Sequence, residues 1–162
     1  MRKLLKTLRM SKEQVGEEQI NFRFASIHVM SKRVEELKIE NLGKSFNFQV
    51  TVETKVQPAG KLVIPFIYVK IMFVDNTDSI ADFTIACAFY IEEFEKIILP
   101  NEEGVYTVPQ DFDNLIRPIS ISTARGVIAS DLRGTYLQNA IMPVIFMDQL
   151  KPVSKDDLDK LK

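Results

Sequence analysis

Hydrophobic and polar positions alternate along much of the first hundred residues, and the places where the alternation changes are informative. Over residues 20–30 the apolar positions change phase, from Phe22 and Phe24 to Ile27 and Val29, which predicts a strand carrying a bulge or a strong twist. Phe46, Phe48, Val50 and Val52 then alternate with Asn47, Gln49, Thr51 and Glu53, the period of two that sets one side of a strand against a core. Pro58, Ala59 and Gly60 predict a turn. Residues 62–74 are apolar on both sides apart from Lys70, so that strand needs cover on both faces. The sequence DNTD at 75–78 makes the next turn, and residues 80–94 carry Phe83, Ile85, Cys87, Phe89 and Ile91 on one side. Four neighbouring strand signals with short turns predict an antiparallel meander or Greek key.

Past Pro100 the pattern lengthens. Residues 100–109 read as a crossover loop, and a helix is expected from Asp111 or Asp113, with Ile121, Ala124, Ile128 and Leu132 recurring at three and four on one stripe. Pro118 lacks an amide proton and is expected to kink this helix or to begin its regular part. Ser120, Ser122, Thr123, Gly126, Ala129 and Ser130 make the helix rich in small residues that admit a second backbone, although Gly126 costs ~1 kcal/mol against Ala. Gly134 is placed to cap its end. Residues 135–146 read as extended, and a last short helix is expected from Ser154, whose hydroxyl can cap it while Asp157 reaches back to the Ser154 amide. Strands first and helices afterwards is the α+β order: a four-stranded antiparallel sheet with a long helix and a short C-terminal helix on one face. That leaves the other face of residues 62–74 to a second subunit, an apolar client or the N-terminal segment folded over it.

The composition narrows the function. A chain of 162 residues with 46% hydrophobic positions can bury a core as one domain without staples. Residues 1–12 hold Arg2, Lys3, Lys6, Arg9 and Lys12 and no acid, so the rest of a chain of net charge −1 carries −6. Residues 1–19 are read as a basic, solvated segment and 20–162 as the domain. Leu4, Leu5 and Leu8 keep open an amphipathic anchor on a membrane or partner surface. No run is long enough for a membrane span and no secretory signal is evident. Single Cys87 and single His28 exclude a disulfide framework and a His-based metal cluster, so a reducing, cytoplasmic setting and no cofactor are expected. No phosphate-cradling loop, dinucleotide fingerprint or zinc-protease motif is present, and His28 and Cys87 have no second His or Cys to pair with. His28 reads as a partly exposed strand residue, Cys87 as a buried inert thiol, and Glu92, Glu93 and Glu95 as a solvated strand end. An enzyme is not expected, nor is nucleic-acid binding by an acidic body.

Residues 117–147 carry a more specific signal. Ala124-Arg125 in the helix, then Arg133-Gly134-Thr135-Tyr136, Gln138, and Pro143-Val144 with Phe146 follow one another at fixed spacings. This run closely resembles the SecB family of protein-export chaperones, and in pattern residues 62–94 are similar to that family's central hairpin, so the resemblance covers about residues 22–150. Two departures stand out. Thr84-Ile85-Ala86-Cys87-Ala88 lacks the acid that export members use to dock the motor ATPase SecA, and Leu137 replaces a proline, with the helix between Arg125 and Arg133 one residue shorter.

The resemblance implies a SecB-like fold, a homo-oligomer, most simply a tetramer, and ATP-independent holding of unfolded or nascent polypeptide. Client-binding residues on this reading are Phe46, Phe48, Tyr136, Leu137, Ile141, Met142, Val144, Phe146 and Met147. Ser122, Gly126 and Ala129 are the expected oligomer interface. SecA would be at most a weak partner. An antitoxin is the alternative client of a dedicated relative, and a small-ligand carrier on the same half-open sheet is the alternative outside the chaperone class.

Overall fold

The computed structural model describes residues 20–36, 43–146 and 150. Four long strands, β1 (Phe22–Val34), β2 (Phe46–Gln57), β3 (Leu62–Phe73) and β4 (Ser79–Ile91), form one antiparallel sheet in the order β1-β4-β3-β2. Three strands joined by hairpins with the first lying beside the last make a Greek key, so of the two predicted topologies the meander is excluded. The class is α+β, as the order of elements predicts.

The phase change in β1 is a bulge. Phe24 pairs with Phe89 and Ser26 with Ala88, so Ala25 is the extra residue, and a second shift falls between Val29 and Ser31. Each inserted residue returns the following apolar side chains to the same face. The β2–β3 turn is a single 3₁₀ turn, Pro58–Gly60, closed by the Lys61 amide donating to the Pro58 carbonyl at 3.0 Å. It is Lys61, at φ 53°, and not a glycine that takes the left-handed backbone here.

Strand β4 ends at Ile91, three residues before the sequence pattern suggests, because a short helix, α1 (Phe94–Ile97), turns Phe94 into the core. The predicted crossover loop contains a small hairpin of β5 (Leu99–Pro100) and β6 (Tyr106–Thr107). Asn101 organises its turn: its side-chain oxygen accepts from the amides of Glu103 and Val105 at 3.0 and 2.9 Å.

The long helix, α2 (Gln110–Asp131), packs against β3 and β4 and runs uninterrupted through Pro118. Asp111 and Asp113 lie in its first turn, where carboxylates complement the helix dipole. Asp113 also ties the helix to the sheet, accepting from the Thr54 hydroxyl at 2.8 Å and pairing with Arg117 at 2.7 Å. The stripe Ile121, Ala124, Ile128 and Leu132 is buried, together with Phe112 and Ile116. Opposite it lie Phe83, Ile85, Cys87, Phe89 and Ile91 of β4 and Val63, Ile67, Val69, Ile71 and Phe73 of β3. Small residues let the helix approach: the Ser120 hydroxyl turns back to the Ile116 carbonyl at 2.8 Å, and the Ser120 carbonyl sits 4.0 Å from the Cys87 sulfur. No described helix is long and apolar enough to cross a membrane. The basic segment 1–19 and the short helix expected from Ser154 lie outside the described residues.

Candidate functional site

One helix on a four-stranded sheet covers the middle and leaves the margins. On the helix side of β1, Phe24, Ile27 and Val29 are 39%, 44% and 45% exposed, and bulge residue Met30 is exposed beside them. Phe24 is anchored inward by an edge contact with Phe89 at 4.9 Å, and Phe22 joins Phe89 to the first turn of α2 through Phe112 at 5.1 Å. At the other end Lys32 reaches Asp131 at 3.1 Å. The β1 margin thus lies beside the helix with its apolar side chains facing solvent.

The chain after α2 supplies the second exposed group. Residues 135–146 are not one extended stretch. Gly134, at φ 76°, turns the chain, and Thr135 builds the next turns: its hydroxyl donates to the Leu132 carbonyl at 2.7 Å and accepts from the Leu137 amide at 3.1 Å. The following residues sort into two sets. Leu137 and Met142 are 0% and 3% exposed and belong to the core with Ala140, so in this conformation they offer no surface to a client, contrary to the sequence expectation. Ile141, Val144 and Phe146 are 72%, 62% and 62% exposed. Tyr136 is half-buried, and burial, followed by the charge of Glu35, raises its phenol above the usual range.

Phe46 and Phe48 lie on the helix side of β2, half-buried against the core, with Phe46 stacked on Phe73 at 5.7 Å. Met147 lies outside the described residues. Ser122, Gly126 and Ala129 all sit on the outward face of α2, beside exposed Leu115 and Ile119, and a Cβ on Gly126 would meet nothing within 4 Å. Pro118, Ile119, Ser122 and Thr123 line a shallow depression on that face.

The remaining sequence candidates do not assemble a reactive centre. Burial pushes the Cys87 thiol up to about 11, and no cation offsets it. His28 is exposed on the helix-free side of β1, with Nε2 2.9 Å from the Ser26 hydroxyl. Glu93 pairs with Lys96 and Glu95 with Lys61, as in a solvated strand end. Sequence reasoning missed the β1 margin as a surface. The signal for it was present in the apolar phase change, which only says which side the residues take and not whether the helix reaches them.

The sheet's second face carries no described element. Leu62, Ile64, Phe66, Tyr68 and Met72 of β3 alternate with the buried set and are half-exposed there. The apolar character of β3 on both sides therefore has cover on one side only among the described residues.

No protein-family model matches the chain, and no curated protein does. Among solved structures, the chain is similar to a SecB-like chaperone of Mycobacterium tuberculosis in complex with a ChAD peptide from an antitoxin. The two share 13% identity over 80% of this chain and 88% of that chain, with a TM-score of 0.49.

Proposed function

We propose that the protein is an ATP-independent holdase of the SecB-like kind, acting in the cytoplasm, which keeps unfolded polypeptide from aggregating by covering its apolar segments. The observation that carries this reading is the display of Ile141, Val144 and Phe146, with Phe24, Ile27 and Val29, on a domain whose core is otherwise closed. A monomer seldom leaves so many large apolar side chains in water unless they bind something. Binding of this sort needs area more than geometry, at ~25 cal/mol for each Å² of apolar surface buried, and therefore tolerates many client sequences. Self-assembly through the outward face of α2, in pairs or as a tetramer, belongs to the same reading, because Ser122, Gly126 and Ala129 allow two helices to approach closely.

In a light-scattering assay, excess protein is expected to slow the aggregation of a chemically denatured client equally with and without ATP. Ile141→Asp combined with Phe146→Asp should lower that protection about threefold or more, since burying a carboxylate against a client costs more than the lost contact alone. The fold, followed by circular dichroism, should not change, because Ile141 and Phe146 are both largely exposed. Aggregation at the control rate in the presence of wild-type protein overturns the reading.

A further inference from the structure

We infer that residues 1–12 seat themselves on the apolar margin of β1 in their own molecule, held there by charge, and so stand in for a client until one displaces them. The inference deepens the holdase reading and rests on it for this consequence, whereas the contact itself is a property of the chain alone.

The margin asks for an apolar occupant. Phe24, Ile27 and Val29 lie exposed beside α2 with Met30 next to them. The chain carries a segment that matches. At the period of a helix Met1, Leu4, Leu5 and Leu8 fall within an arc of about 100°, and Arg2, Lys3, Lys6 and Arg9 fall outside it. The apolar stripe suits the margin, and the cations suit an acidic rim.

That rim stands where the segment joins the domain. The described chain begins at Ile20, just before β1, at the Phe22 end of the margin. Two exposed carboxylates there have no ion-pair partner among the described residues. One is Glu92, whose amide donates to the Asn21 carbonyl at 3.1 Å. The other is Asp111, adjacent to Phe112, whose ring meets Phe22 at 5.1 Å. The neighbouring acids are already held, Glu93 by Lys96, Glu95 by Lys61 and Asp113 by Arg117. Glu13, Glu17 and Glu18 share the sign of Glu92 and Asp111, so the two free carboxylates attract the cationic stretch and not the residues that tether it.

Reach favours the same molecule over other occupants. From Phe22 to Val29 the strand runs about 23 Å, and a dozen residues of flexible chain span about 20 Å r.m.s.. A tether matched to its span gives the highest effective concentration, of millimolar order. A second copy at micromolar concentration competes poorly with that. An anionic bilayer would take the same amphipathic segment, but only by giving up the carboxylates of the rim.

Paramagnetic broadening tests the contact. A nitroxide on Thr7→Cys labels the full chain selectively, because Cys87 is buried. It should broaden the methyl resonances of Ile27 and Val29 and spare those of Leu62 and Ile64 on the other side of the sheet, unchanged on dilution and weaker as salt is raised. Leu4→Ser with Leu5→Ser and Leu8→Ser should abolish the broadening and raise Nile red fluorescence. The same variant should bind a labelled peptide of alternating Val and Ser about three- to tenfold more tightly, since apparent affinity scales with the fraction of open surface. Glu92→Gln with Asp111→Asn should shift affinity the same way by about two- to threefold, as exposed pairs do. The leucines lie outside the described domain and both acids are exposed, so circular dichroism controls for the fold. Persistent broadening in a protein that protects no client removes the holdase reading and leaves the contact standing. Sharp Ile27 and Val29 signals in a protein that does protect clients overturn the inference alone. Broadening lost on dilution, a segment that leaves the margin free and binds phosphatidylglycerol vesicles instead, or a leucine variant with unchanged dye and peptide binding also overturns it.

Discussion

At the residue scale, the segment after α2 shows how neighbouring apolar residues acquire opposite duties. Leu137 and Met142 face inward while Ile141, between Ala140 and Met142, faces out. Leu137→Ala should cost about 2–5 kcal/mol, the usual penalty for emptying a buried leucine site. Ile141→Ala should stay within about 0.5 kcal/mol, as exposed substitutions do. Urea unfolding monitored by circular dichroism measures both, and a large loss at Ile141 would place it in the core and remove it from the client surface. This sorting was not legible in the sequence. The bonds of the Thr135 hydroxyl override the extended reading, and a threonine carries no mark that says whether its hydroxyl will bond locally or face solvent. Lys61 in the left-handed region was equally hidden beside the more obvious Gly60.

At the scale of elements, legibility followed the strength of the period. The alternation in β2, the single-sided stripe of β4 and the inward stripe of α2 were all readable, because a half-buried element must repeat its apolar residues at its own geometry. The bulge in β1 was readable for the same reason, since a phase change within one strand has few other physical meanings. Two-residue strands such as β5 and β6 are too short to show a period. Pro118 misled in part. It was expected to kink the helix or start it, whereas packing of Phe112, Ile116 and Ile121 on both sides of it carries α2 through. Tertiary packing therefore bears a local penalty that Pro118→Ala should release. A helix-interior proline is worse than alanine by ~3 kcal/mol, and the gain is reduced by the extra freedom of the unfolded chain. A stabilisation of about 1–2 kcal/mol by urea titration is expected, and a destabilised variant would mean that proline packing at the helix surface outweighs the restored hydrogen bond.

For the whole molecule, the outward face of α2 separates assembly from folding. Because nothing lies within 4 Å of a Cβ on Gly126, Gly126→Ala should leave the domain intact and add helix stability of ~1 kcal/mol. Gly126→Phe should likewise fold, but it should reduce the number of subunits found by multi-angle light scattering if two copies meet there at close backbone approach. An unchanged mass for the Phe variant, or a single subunit for the wild type, would rule out this helix face as the interface. The sequence showed small residues along α2 but could not divide them by role. Ser120 and Ala124 serve the domain's own sheet, whereas Ser122, Gly126 and Ala129 point away from it.

The two bulges of β1 have a further consequence, for how copies of the chain can meet edge to edge. In the described sheet β1 is an outer strand thirteen residues long, with unpaired backbone along its free side and apolar side chains beside it. An unbroken ribbon of that length is a template on which copies can stack edge to edge into fibrils. Ala25 and Met30 interrupt the ladder, so that the uninterrupted run between them is only residues 26–29. A short, twisted edge of this kind limits growth of one copy upon another, so the exposed side chains of Phe24, Ile27 and Val29 stand beside an edge that is a poor seed for fibrils.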